Sequence, residues 1–132
     1  DTRWVHRPKM QWEFLESLNE DFEEGVAPLR RRIFRSLQQL ISICKTLPAL
    51  AGQDMELVEV RNDHVLCFVR ENSGNRLIVV GNFSSQPQTF AGNRLRTGGL
   101  GRFFEDAITK NTHATSEDLM LAPYEIMWLC RV

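Results

Sequence analysis

The sequence lacks cysteines at motif spacing, is close to electrically neutral and has no long apolar run, and each lack removes a class of protein. Its three cysteines, Cys44, Cys67 and Cys130, lie far apart and none belongs to a CxxC pair. Neither a zinc knuckle nor a dithiol redox centre is supported, and free thiols in a reducing compartment are expected, which favours the cytoplasm. No stretch approaches the ~20 apolar residues that span a bilayer, and no signal peptide is visible. The formal net charge of -1 argues against nucleic acid or an anionic membrane as a partner held by bulk electrostatics. There is no GxSxG elbow, and His6, His64 and His113 are too dispersed for a metal site. No cofactor is expected.

What is present is an ordinary globular composition, 42% hydrophobic and 25% charged, in 132 residues that suit one domain or a small domain with an extra element. The chain changes character near Gly52. Before it, apolar spacing is helical. Residues 10–19, "MQWEFLESLN", predict a short helix with Trp12, Leu15 and Leu18 along one side, followed by an acidic loop closed by Gly25. A longer helix is predicted from Pro28, which suits a first turn, to the stop at Pro48. Leu29, Ile33, Leu37, Leu40, Ile41 and Cys44 form its apolar face, with Arg30, Arg31 and Arg32 on the solvated side. Phe34 and Ile43 broaden the apolar surface, so this helix needs a substantial partner.

After Gly52, runs of strand length dominate: "MELVEV", "HVLCFVR", "RLIVVGNF", "DLMLA" and "YEIMWLCRV". "RND" and "ENSGN" separate the first three as consecutive hairpins. "SSQPQTF" leads to a further strand that Pro87 places at an edge. "RLRTGGLGRFFEDAITKN" reads as a flexible turn whose Phe103, Phe104 and Ile108 return to the core. Helices followed by strands without βαβ alternation give an α+β fold, with an N-terminal helical segment ahead of an antiparallel β-sandwich.

No catalytic constellation emerges. Glu13, Glu16, Asp21, Glu23 and Glu24 cluster where a solvated helix and loop are expected, and nothing shows the paired geometry of a glycosidase. Trp128, inside "IMWL", reads as core; Trp4 and Trp12 are the better candidates to stack on sugar rings, although burial is the favoured reading for them too. Asn82-Phe83-Ser84 matches a glycosylation sequon of a kind frequent by chance. The opening "DTRWVHRPKM" is different: Arg3, Trp4, His6, Arg7 and Pro8 suit a loop pinned over a polar pocket better than a frayed terminus.

That opening resembles a segment of the amylosucrases, sucrose-consuming members of the α-amylase superfamily of glycoside hydrolases. The likeness continues through "IFRSLQQLISICKTLPAL", resumes in "VVGNFSSQPQTF" and finishes with "DLMLAPYEIMWL"; residues 92–115 match weakly. The resemblance implies a C-terminal fragment. Residues 1–50 would be the loop and last helix of a (β/α)8 catalytic barrel, and 51–132 a C-terminal antiparallel β-sandwich domain. Arg3 matches the arginine that reaches the glucosyl subsite and pairs with an aspartate of the barrel, which makes it the one substrate-binding residue expected here. The aspartate nucleophile and the glutamate acid would lie upstream, so no catalytic residue is expected and the chain alone should be inert.

The expected function is therefore that of an accessory, stabilising domain in an enzyme acting on sucrose or α-glucosides by retaining glucosyl transfer or hydrolysis. Its expected partners are the upstream barrel of the same protein and, through it, sucrose or an α-glucan. Two rivals remain open: a free-standing carbohydrate-binding module with an exposed aromatic platform, and a protein-interaction domain centred on Leu29, Ile33, Leu37 and Leu40.

Overall fold

A computed structural model describes residues 26–97, 99 and 101–132. The short helix expected at 10–19 and the acidic loop lie outside the described residues, as does the "DTRWVHRPKM" segment. The chain divides into two compact units, Asp1–Ile41 and Ser42–Val132.

In the first unit the described residues belong to helix α1, Val26–Thr46, which continues into the second. It carries Pro28 in its first turn and ends one residue after Lys45, whose charge suits the C-terminal dipole. The Leu47 N–H and the Thr46 hydroxyl both donate to the Ile43 carbonyl, at 3.2 and 2.9 Å. Pro48 cannot extend the ladder and opens a 3-10 turn, Pro48–Ala51. Leu29, Ile33, Leu37 and Ile41 are exposed, while Phe34, Leu40 and Ile43 are half-buried.

The second unit is β-rich. Its strands are β1 (Met55–Leu57), β2 (Val65–Asn72), β3 (Asn75–Asn82), β4 (Gln88–Phe90), β5 (Phe103–Asp106), β6 (Thr112–Ala114), β7 (Leu119–Leu121) and β8 (Ile126–Arg131), with helix α2 at Gly92–Thr97. Six form one antiparallel sheet in the order β1-β2-β3-β8-β5-β6, and β4 and β7 form a second, two-stranded sheet. The result is α+β with a sandwich-like β domain, as the sequence pattern predicts.

The β2–β3 hairpin follows from "ENSGN". Ser73 and Gly74 take φ of 51° and 78°, two successive left-handed residues between the paired Asn72 and Asn75. Pro87 precedes β4, which among the described residues pairs with β7 alone, consistent with the edge position that a residue without an N–H prefers.

One core cluster joins the two sheets. Val65, Cys67 and Val69 of β2, Ile78 and Val80 of β3, and Met127 and Leu129 of β8 meet Phe90, Leu119 and Leu121 of the small sheet, with Leu95 of α2 and Phe104 of β5. Val58 and Val60, expected within the first strand, lie beyond its end at Leu57 and pack against this core, and the Val58 N–H still donates to the Cys67 carbonyl of β2 at 2.9 Å.

Residues 94–111, expected to form a flexible turn, depart most from expectation. They hold most of α2 and all of β5, which pairs with β6 and β8. Phe104 is fully buried and Ile108 half-buried, but Phe103 is exposed. Successive strand side chains point to opposite faces, so adjacent phenylalanines cannot share the core.

Candidate functional site

Register fixes what each face of the six-stranded sheet presents. Val65, Cys67 and Val69 look inward, which turns Leu66 and Phe68 outward. Leu66 pairs with Gly81 and Phe68 with Val79, and these pair in turn with Ile126 and Trp128 of β8. Met55 and Leu57 extend the same outer face at the β1 edge. A sheet with one solvated face alternates apolar with polar residues, and here β2, β3 and β8 are apolar on both faces across most of their length. Trp128 accordingly lies half-buried on the outer face and not in the core, because the pairing of Met127 with Val80 turns its neighbour outward.

One end of this outer face is already covered. Leu77, opposite Arg70 and Cys130, is fully buried yet outside the main core cluster. The 3-10 turn packs on β2 and β3 there. The Asn72 amide donates to the Pro48 carbonyl at 2.9 Å, and the Arg70 guanidinium donates to the Gly52 carbonyl.

The other end is bare. Leu66 is 44% exposed, Ile126 46%, Phe83 61% and Tyr124 68%. A Cβ built on Gly81 would lie 3.2 Å from the Phe83 ring and 3.3 Å from Ile126, so both side chains rest against the Gly81 backbone. Leu66, Phe83 and Ile126 thus flank one glycine in an apolar patch.

A buried amide holds that end rigid. Asn82, 2% exposed, donates from Nδ2 to the carbonyls of Gln86 (2.8 Å), Ala122 (2.9 Å) and Leu121 (3.4 Å). Its Oδ1 accepts from the Ser84 N–H at 2.9 Å and the Ser84 hydroxyl at 2.8 Å. Backbone bonds add to the knot: Asn82 N–H to the Glu125 carbonyl at 2.9 Å, Phe83 N–H to His64 at 2.7 Å, and Tyr124 N–H to Ser84 at 3.3 Å. Tyr124 takes φ of 59°, uncommon for a bulky residue and held here by the surrounding bonds. "GNFSSQPQ" and "LAPYEI" are therefore stitched together by one side chain. The glycosylation reading of Asn82 fails in the folded state, since the acceptor nitrogen is buried and already bonded.

A second knot sits across the sheet. Asp106, 1% exposed, accepts at Oδ1 from the N–H groups of Trp128 (2.9 Å) and Ile108 (3.2 Å). Its Oδ2 accepts from the Thr109 N–H at 3.2 Å and hydroxyl at 2.7 Å. With its lone pairs occupied by protein donors, this carboxylate shapes a loop and is not presented to a substrate.

Among the described residues no group of three His, Cys, Asp or Glu side chains could hold a metal ion. His64 is exposed, and His113 stacks on Phe104 with ring centroids 5.4 Å apart. The three cysteines are free thiols; Cys44 is exposed and Cys67 buried. Burial pushes the Cys67 thiol up to about 11, opposed by the Arg94 guanidinium, and burial likewise raises Cys130. Neither is an activated nucleophile. Arg3, Trp4, His6, Arg7 and Trp12 lie outside the described residues. The sequence signal for the apolar outer face lies in "VLCFV", "LIVV" and "IMWLC", runs without polar alternation.

Comparison with known proteins agrees with this anatomy. The family described as "Amylosucrase, C-terminal domain" matches residues 57–130, more than half of the chain. Among solved structures, AmyP in complex with maltose superposes with a TM-score of 0.64 at 18% identity, over 80% of this chain and 21% of that one. The trehalulose synthase MutB from Pseudomonas mesoacidophila MX-45 gives 0.55 at 23% identity, over 70% of this chain and 16% of that one. A MutB mutant in complex with sucrose gives 0.56 at 24% identity. The chain spans about a fifth or less of the length of these proteins, and at such identities the likeness is one of fold.

Proposed function

The chain belongs to the amylosucrase C-terminal domain family, and from that premise we propose that it is the accessory domain of a larger enzyme acting on sucrose or α-glucosides. The parent would carry out retaining glucosyl transfer or hydrolysis in an upstream (β/α)8 barrel. In this reading residues 1–50 are the barrel's last loop and helix, 51–132 are the β domain, and Arg3 reaches the glucosyl subsite of the assembled enzyme. The cytoplasm is the proposed location, on the strength of unpaired thiols; no described helix is long and apolar enough to cross a membrane.

The observation that carries the accessory role is the apolar outer face at Leu66, Phe83 and Ile126. Water is a poor neighbour for such a patch, and its natural cover is protein. Phe83 and Tyr124 are exposed aromatics, but Phe83 shares its patch with aliphatic side chains, which fits a protein contact better than a sugar platform. The face therefore braces the catalytic part of the parent.

Ile126→Asp tests this. In the 132-residue chain the site is half-exposed, so the melting temperature should move little. In the parent the same carboxylate would be buried without a partner, and the melting temperature should fall by several degrees. Equal effects in both, or none in the parent, would sink the docking role. Sucrose turnover by the parent checks the substrate class separately.

A further inference from the structure

We propose that a trench along the β1 edge of the sheet binds a neutral polyhydroxylated ligand of the α-glucoside class. The trench consists of two open grooves of about 500 and 320 Å³ that share Glu56, Val69 and Arg76 as lining. Both volumes fall in the range of ~300–1,000 Å³ that small-molecule sites occupy. Glu56 pairs with Val69 across β1–β2, and Glu71 with Arg76 across β2–β3, so the charged residues stand on the inward side of the sheet. The apolar outer face is on the opposite side, and docking there leaves the trench open.

The lining selects the ligand class. Asp54, Glu56 and Glu71 offer carboxylates, while Arg76 and Arg94 offer guanidinium groups. Glu71 neutralises Arg76 at 2.9 Å, and an anion would meet the remaining carboxylates, so an anionic ligand fits poorly. Hydroxyl groups both donate and accept, and a run of them can satisfy the two kinds of side chain together. Gln53 and Ser73 add neutral donors and acceptors at one end. The guanidinium groups are set before any ligand arrives: Arg76 Nε donates to Glu71 Oε2 at 2.9 Å, and Arg94 donates to the Glu59 carbonyl. Groups already held in place lose less freedom on binding. Val69, 7% exposed, is the apolar element of the lining common to both grooves. The choice of a glucoside among polyhydroxylated ligands rests on the proposed function.

The test is a titration of the isotopically labelled 132-residue chain with maltotriose, followed by amide NMR shifts. Saturable shifts are expected at residues 53–59 and 69–76, with the rim at Phe83 and Tyr124 unmoved. Glu56→Gln, at an exposed position, should fold normally and weaken binding by about tenfold, the loss of one hydrogen bond to a charged group. Asp54→Asn provides a second reading of the same trench. Shifts confined to the rim, no saturable shifts at all, or tighter binding of glucose 1-phosphate than of maltotriose would each overturn the proposal. A parent that turns over glucosides while this chain ignores maltotriose would remove the trench site and leave the accessory-domain reading standing.

Discussion

Replacing Asn82 with alanine should be among the most damaging single changes in the β domain, and the cost can be worked from its bonds. The side chain makes two short donations, to Gln86 and Ala122, and accepts two short bonds from Ser84. At about 1 kcal/mol net for each hydrogen bond, their loss is worth ~4 kcal/mol. Water reaches part of the half-exposed turn and recovers a fraction, which leaves about 3 kcal/mol. That is a large share of the ~5–15 kcal/mol that holds a domain together. For a β domain of this size it corresponds to a melting temperature lower by roughly 12–24 °C. Thermal unfolding followed by circular dichroism reads it directly. Asn82→Asp sharpens the argument, because a carboxylate in that place would face the carbonyls of Gln86 and Ala122. Its pKa would be raised in the folded state, so the added destabilisation should be present at neutral pH and relieved by acid. A loss below about 1 kcal/mol for Asn82→Ala would refute the reasoning and assign the turn to backbone bonds alone.

Two further outcomes are expected. A Cβ on Gly92 would lie 2.0 Å from the Glu117 carbonyl oxygen, so Gly92→Ala should cost about 1–3 kcal/mol, measured by urea denaturation. Since the Cys67 thiol is raised to about 11 from 9.0, the unfolded chain loses its proton first. Stability should therefore fall between pH 9 and 11, by up to about 1.4 kcal/mol per pH unit from this group, and Cys67→Ala should flatten that slope.

The parts of the fold legible in the sequence are those with strong local rules. Pro28 sits in the first turn of α1 and Pro48 follows its end, and "ENSGN" dictates the β2–β3 turn through Ser73 and Gly74. What escaped was decided by long-range register. Four-residue β5 has too little length to show a period, and its inward phase is set by Asp106 bonding to the Trp128 N–H. Likewise nothing local tells whether Met127 or Trp128 faces the core; the pairing with Val80 decides it. The candidate surface was half legible, since its runs read as apolar but their two-sidedness needs the sheet. The trench was not legible, because Glu56 and Arg94 lie 38 positions apart and come to one groove only in the folded chain.

The strand order has a bearing on how the domain is made. Strand β8 follows all the others in the chain yet pairs with both β3 and β5 inside the sheet. On a ribosome the β2–β3 hairpin can close early, but the free edge of β3 must wait while more than forty residues emerge. Until then its Ile78 and Val80 stand beside unpaired backbone, the condition under which nascent chains join edge to edge. Loss of residues 126–131 would do more than shorten the sheet. It would part β1-β2-β3 from β5-β6 and leave two fragments, neither with a complete core.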